Sequence, residues 1–588
     1  MSGIFKSIVR RLRGLLWTGL LLALAGGVAP LVQAEELEVR VQAVSGSAPL
    51  KLDDTVLTNA VGERVTVGRL DFLLSDFRFV LQDGSERSSG TRAAYVGVGR
   101  GRDGFVLKDL PVEKVRAVRF RVGLRPELDR IAVDALAPDD PLNPLVNGLH
   151  WGWLGGFVFL ALEGNGRDGA GVEGGFSFHL AGAALEMPVE LPLSRRPGDA
   201  SVWVLDVGRM LLEVPAARLG SSSHSRTGDR LAADLAAAAA RAFRVELPRV
   251  ASLPAALPVP ASEAAASLGS GTTPWRFQVP AGFTIPALPR DNPLTVEGVE
   301  LGRRLFQEPL LSVNGSQSCA SCHDGAAAFV DAGRRFSRGA EGVEGDRNAM
   351  PLANLAWQAP YFWDGRAKTL REQVLMPLEN PVEMHETPTN VVRKLTEAGY
   401  GASFGAAFGP GGVTVDRLAR ALEQFLLVQV SGDSKFDRVA RGDDGFTAVE
   451  QRGFELFFTE HDPRRGQYGA DCFHCHGGPL FTDSAFHNNG LDAEGKGNDE
   501  GRARVTGNGA DRGRFRTPSL RNVAKTAPYM HDGRFVTLEE AVAHYCGGVK
   551  RAPNLDPNLA KHPDGGVGLD LADQQALVAF LRTLSDPQ

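Results

Sequence analysis

The sequence predicts a multidomain chain in which an all-β sandwich or barrel precedes a mainly α, two-lobed half. Three observations carry that reading. Short alternating runs fill residues 35–250, helix-spaced apolar residues and Gly-rich loops fill the stretch after 272, and a Cys-x-x-Cys-His pattern occurs twice in that second part. At 588 residues the chain is too long for one hydrophobic core. An apolar share of 43% beside 23% charged residues is that of a globular protein and not of a disordered one. The net charge of -6 provides no basic footprint, which argues against a nucleic-acid partner.

Residues 1–34 read as an export signal. Arg10, Arg11 and Arg13 form a positive start, 15–28 an apolar stretch, and Val32, Gln33 and Ala34 a small-x-small cleavage site that puts the mature start near Glu35. An uncleaved anchor over 14–32 is the competing reading; Gly26, Gly27 and Pro30 favour cleavage, hence a periplasmic protein with no membrane span after processing. Alternation at 37–44, 115–122, 157–162, 176–180 and 202–207, broken by Gly, Asp and Pro, predicts antiparallel strands of one β domain over 35–250. Residues 231–243 are Ala-rich and predict a helix, and 251–272 read as a linker of Pro, Ala, Ser and Gly. Helical spacing at 415–427, 448–458 and 571–584 predicts two small helical lobes, 273–428 and 429–588, one for each Cys-x-x-Cys-His unit.

All five cysteines lie in the second half, and four of them form those two units. Cys319, Cys322 and His323 make the first; Cys472, Cys475 and His476 the second. In an exported chain this doubled motif predicts two covalently bound c-type haems, with the cysteines as thioether anchors and the histidines as proximal ligands. Disulfides or a Cys/His zinc site are the rival readings, but no pair of units has finger-like spacing. Residues 324–384 contain no histidine and, before Met384, only Met350 and Met376, so the first iron is expected to keep one face open for a small oxidant.

On further motifs, residues 275–588 resemble the bacterial diheme cytochrome c peroxidase superfamily, and within it its MauG/MbnH-like branch. The motifs are residues 314–323, YFWDGR at 361–366, NPVEM at 380–384 and APYMHDG at 527–533. The resemblance implies a peroxide-acting oxidoreductase with Glu383 and Gln373 over the open face of the first haem and Pro377 lining the same pocket. Glu383 is then the general acid/base. It also implies that Trp363 carries electrons between the haems. Asn348, by its side chain, and Thr526 and Pro528, by their carbonyls, are implied as calcium ligands, oxygen donors suited to a hard cation. Ordinary peroxidases of this type carry a methionine on the second haem, downstream of the histidine that is His531 here. This chain has Tyr545 at that position, as in MauG and MbnH. A tyrosinate oxygen stabilises ferric and higher-valent iron, which suits storing oxidising equivalents. Met530, His544 or His531 are the alternative ligands. Cys546 is expected to be a buried free thiol.

The first half resembles the MbnP family at LDFLLSD (70–76), LHWGW (149–153), 156–159, LEG (162–164) and FSFHL (176–180). In that family a tryptophan is oxidised to kynurenine by the diheme partner, and the product helps to bind copper. Trp151 and Trp153 are the candidate tryptophans, and His150 and His179 the candidate copper ligands. The chain departs from many relatives in lacking cysteines here and in having Phe157 for a tyrosine. The expected function is peroxide-driven oxidation of a tryptophan in the chain's own front domain, held close by a flexible linker, with a periplasmic electron carrier as a further partner. A detoxifying diheme peroxidase and a periplasmic copper carrier are the alternatives.

Overall fold

One long strand, Arg64–Leu81, organises the β half. The computed structural model describes residues 35–246 and 271–587, apart from 112–113, 152–154, 183–184, 186, 194–199, 226–227, 464–465, 494–498 and 563–564. The expected leader, residues 251–270 of the expected linker, and Trp153 lie outside the described residues. Arg64–Leu81 pairs with Val115–Val122 on one side and Val158–Arg167 on the other. The sheet continues through Pro188–Pro192 at one edge and through Glu173–Ala181 to Ser222–Ser223 at the other. A second sheet runs Phe243–Glu246, Ser201–Asp206, Glu35–Ser45 and Ala48–Pro49, with Gly104–Leu110 also on Glu35–Ser45.

The sheets face each other across one apolar core. Phe120 of the larger sheet stacks on Trp203 of the smaller at 4.5 Å and 9°. Both rings are buried, which is worth about 1.5–3 kcal/mol for a large apolar side chain, and ring pairing adds about 0.5–1.5 kcal/mol. The strand directions differ from the expected antiparallel sandwich at two places. Glu35–Ser45 runs parallel to Ser201–Asp206, and Glu173–Ala181 runs parallel to Ser222–Ser223, with Phe178 opposite Ser223. Alternation encodes which face is buried but not strand direction, and the long chain between these partners supplies the crossover that parallel pairing needs. The predicted helix forms at Arg230–Ala242, where the Asp229 side chain caps it by accepting from Ala232 N at 3.1 Å.

The two helical lobes repeat one packing device. In the first, Val296–Phe306 crosses Val415–Leu427 at Gly302, where a Cβ would lie 2.0 Å from the Ala421 carbonyl oxygen. In the second, Ala448–Phe457 crosses Leu571–Arg582 at Gly453, where a Cβ would lie 2.0 Å from the Ala576 carbonyl oxygen. Each glycine brings two helix backbones into direct contact ahead of a Cys-x-x-Cys-His turn. Among the described residues no helix is long and apolar enough to cross a membrane.

The β half docks on the second lobe through a defined interface, not by a loose tether alone. Asn165 donates to the Leu555 carbonyl at 2.7 Å, and Arg514 pairs with Asp53 at 2.9 Å. The helix Pro557–Ala560 lies on the strand at Gly175, where a Cβ would stand 2.5 Å from the Pro557 carbonyl oxygen.

Candidate functional site

Both Cys-x-x-Cys-His units form tight 3₁₀ turns, Cys319–Ser321 and Cys472–His474, with none of the cysteines in a disulfide. The turns present their histidines alike. His323 Nδ1 meets the Phe329 carbonyl at 2.8 Å, and His476 Nδ1 meets the Phe481 carbonyl at 2.9 Å. A carbonyl only accepts, so each Nδ1 carries the proton and each Nε2 keeps its lone pair for a metal. Burial lowers the pKa of both rings and keeps them neutral. These residues fit axial ligation of two c-type haems.

Beside the first turn lies a cavity of about 860 Å³, lined by Cys319, Cys322 and His323 and, among others, by Gln373, Pro377 and Glu383. His323 is the only histidine among the lining residues. Glu383 accepts from Asn380 Nδ2 at 2.6 Å, and burial raises its pKa above the ordinary carboxylate value. A carboxyl with a raised pKa exchanges protons more readily at neutral pH than a solvated one. Trp363 lines the same cavity, and its indole donates to the Asn348 carbonyl at 2.9 Å. Asn348 N in turn donates to the His531 carbonyl at 2.7 Å, which brings Asn348 beside the segment holding Thr526 and Pro528.

At the second turn, Tyr545 sits in a π-helical turn, His544–Gly548, a local widening common at functional sites. Asn489 Nδ2 donates to the Tyr545 hydroxyl at 3.1 Å and lies 3.6 Å from Met530 Sδ. His544 is held differently, with Nε2 on the Asn489 carbonyl at 3.0 Å, while His531 stacks on Phe515 at 3.6 Å. Burial pushes the Tyr545 phenol up to about 12 and the buried Cys546 thiol up to about 11.

Residues 296–445 match the family described as Di-haem cytochrome c peroxidase. The chain is 38% identical over 304 residues to the methylamine utilization protein MauG of Methylorubrum extorquens, covering 50% of this chain and 80% of that protein. The chain belongs to the di-haem cytochrome c peroxidase family. It is also 38% identical over 303 residues to cytochrome c551 peroxidase of Nitrosomonas europaea, covering 50% of this chain and 82% of that one. A solved MauG-like protein associated with microbial copper homeostasis is 35% identical, covering 53% of this chain and 96% of that one, with a TM-score of 0.48. Residues 34–224 match the MbnP family, so a di-haem peroxidase is fused behind an MbnP-type β domain. As a di-haem peroxidase the chain is a peroxide-acting oxidoreductase with two c-type haems.

The di-haem peroxidase half meets the β domain at a cluster that residue spacing did not reveal. Trp151 packs at 5.6 Å on Phe473, the residue after Cys472, and at 5.8 Å on both His179 and His224. One ring nitrogen from each of His179, His224 and His474 lies within 4.8 Å of the others. His150 is not in this group; its ring packs edge-on against Phe157 at 4.7 Å. The rings brought together are His179, His224 and His474, because the strand carrying His179 turns that side chain toward the docked lobe. The register that sets Phe178 opposite Ser223 carries His224 alongside His179. No local pattern announces His224; the extra histidine between Cys472 and Cys475 was the available signal for His474.

Carboxylates hold the far side of each ring. Glu163 lies 2.7 Å from His179 Nε2, and Glu460 lies 3.1 Å from His224 Nδ1 and 2.8 Å from His474 Nε2. Burial opposes ionisation of Glu163, but Arg69 and His179 hold it well below the usual range. Burial likewise opposes ionisation of Glu460, and His224 and Lys561 outweigh it, leaving its pKa at about 2. Lys561 also bridges to Asp471 at 3.0 Å, so those two acids already have their cation.

Proposed function

We propose that the chain uses hydrogen peroxide to oxidise Trp151 of its own β domain to kynurenine, in the periplasm, as a step linked to copper binding. The contact of Trp151 with Phe473, inside the second haem-attachment turn, carries this reading: the substrate ring sits against the enzyme half. Trp153, the other candidate, lies outside the described residues.

The haems, when bound, supply the electron transfer that lets peroxide take electrons from a distant side chain. The protein's part is proton handling and positioning. Glu383, fixed by Asn380, takes the peroxide proton and returns it to the departing water, with Gln373 orienting the oxidant. Trp363 passes electrons between the lobes, steadied by its hydrogen bond to Asn348. Tyr545 would hold the second haem through its phenol oxygen, which would stabilise ferric and higher-valent iron. Asn348, Thr526 and Pro528 would hold a structural calcium, their oxygens suiting a hard ion. The balance is two peroxides per tryptophan: four electrons leave the indole, two oxygens enter it to open the ring as N-formylkynurenine, and two waters form. Hydrolysis then releases formate and leaves kynurenine. A soluble electron carrier serves as a further redox partner.

A detoxifying peroxidase is the second reading, favoured by Met530 Sδ standing near the same Asn489 amide as the Tyr545 hydroxyl. Peroxide treatment of the haem-loaded chain, followed by mass spectrometry of peptides covering 149–159, separates the two. Kynurenine at Trp151 supports self-oxidation; steady peroxide turnover with that peptide intact supports detoxification.

A further inference from the structure

We infer that His179 and His224 of the β domain and His474 of the second haem lobe form one metal site, built by both halves of the chain and suited to a monovalent copper ion. The inference deepens the copper link proposed above by naming a ligand set, one member of which belongs to the peroxidase half.

The argument starts from proton positions. Ionised Glu163 and Glu460 can only accept, so His179 Nε2 and His474 Nε2 carry the ring protons, while His224 Nδ1 stands 3.1 Å from Glu460. That leaves lone pairs on His179 Nδ1 and His474 Nδ1. His179 Nδ1 and His224 Nε2 face each other at 3.1 Å. His474 Nδ1 is buried without a hydrogen-bond partner, on a side chain only 1% exposed. A buried acceptor without a donor is costly. One cation placed among the three inward nitrogens gives His474 Nδ1 a partner, with His224 then carrying its proton on Nδ1.

The surroundings match a ligand site and not ordinary packing. His179 and His474 are each oriented by a carboxylate on the outer nitrogen, the arrangement that fixes tautomer and raises basicity in histidine metal sites, and Glu460 also lies 3.1 Å from His224 Nδ1. Three imidazoles suit copper or zinc. Charge selects between them: Arg69 answers Glu163 at 2.9 Å and Lys561 is shared by Glu460 and Asp471, so most of the enclosing negative charge is matched before an ion binds. The cost of burying an ion grows with the square of its charge, so a monovalent ion is favoured over a divalent one. Because His474 stands between Cys472 and Cys475, the ion would sit beside the attachment point of the second haem and clamp the two halves together.

The test uses the full, haem-loaded chain, treated with peroxide, reduced and stripped of other metals. Cu(I) is titrated against a chromophoric chelator, and X-ray absorption counts the imidazoles bound. One Cu(I) per chain with three imidazoles is expected, with affinity falling at least about 100-fold in His224→Ala and His474→Ala and unchanged in His150→Ala. Two imidazoles in the wild-type spectrum, no stoichiometric Cu(I), tighter binding of Zn(II), or full affinity in His474→Ala would each overturn the proposal. The imidazole count needs no variant, so it stands even if His474→Ala fails to acquire haem. Kynurenine at Trp151 is measured on the same sample. An unmodified Trp151 with three imidazoles on copper refutes the oxidation reading alone, and kynurenine with two imidazoles refutes the shared site alone.

Discussion

The Trp151 and Phe473 rings meet across the boundary between the β domain and the second haem lobe, with centroids 5.6 Å apart and planes at 50°. Phe473 is locked in the haem-attachment turn, so the contact fixes where the tryptophan lies relative to the second haem. Trp151→Phe should abolish kynurenine in the 149–159 peptide and leave the initial stopped-flow reaction with peroxide unchanged. Trp363→Phe should suppress the same modification from the other lobe. Kynurenine persisting in both variants, read by peptide mass, would remove Trp151 as the target.

Docking precision should matter as much as the tryptophan. A Cβ at Gly175 would stand 2.5 Å from the Pro557 carbonyl oxygen, so Gly175→Val must push the helix Pro557–Ala560 off the strand. A displacement on the order of 1 Å can cost about 100-fold in rate. Kynurenine formation should fall by about that factor in single-turnover assays while the initial reaction with peroxide holds.

Glu383→Gln should slow the reaction with peroxide by about 10²–10⁴-fold, the usual worth of a positioned proton shuttle. Burial raises the Glu383 pKa, so the basic form is lost as pH falls through a value above the ordinary carboxylate range. The wild-type rate should therefore show an acid limb above about 4.5, and stopped-flow traces of the Gln variant should lack it.

At the second haem, Tyr545→Phe should change the low-spin spectrum, whereas His544→Ala, whose ring is held by the Asn489 carbonyl, should leave it largely intact. An unaltered signal in Tyr545→Phe would transfer the axial role to Met530, 3.6 Å from the Asn489 amide nitrogen.

Stability should depend on pH through His487, which lies 2.8 Å from Asp483 and 2.5 Å from Asp556. Burial opposes its charge, but the two carboxylates outweigh burial and raise its pKa to about 10. A raised histidine pKa means the folded state binds the proton more tightly, so its contribution is complete below about 6.5 and is lost as pH rises through about 10. His487→Leu should cost about 3–5 kcal/mol at neutral pH by leaving the buried Asp556 and the half-buried Asp483 without their cation. Denaturant melts of the haem-loaded protein should show this gap closing at high pH.

Local chemistry was legible in the sequence. Cys319, Cys322 and His323, and their counterparts at Cys472, Cys475 and His476, act through spacing within one turn, which a sequence displays directly. Helices such as Val415–Leu427 and Arg230–Ala242 follow from apolar periodicity set by the helix repeat. The Trp151 and His179 neighbourhood was legible only as separate residues. His224 reaches His179 through a parallel strand pair, and His474 reaches both through docking of two domains far apart in the chain. Neither event leaves a periodic trace, because strand direction and domain docking depend on surfaces complementary only after folding. Gly175 shows the difference: in the sequence it is one glycine among several, and only the Pro557 carbonyl packed against it makes the missing side chain a requirement.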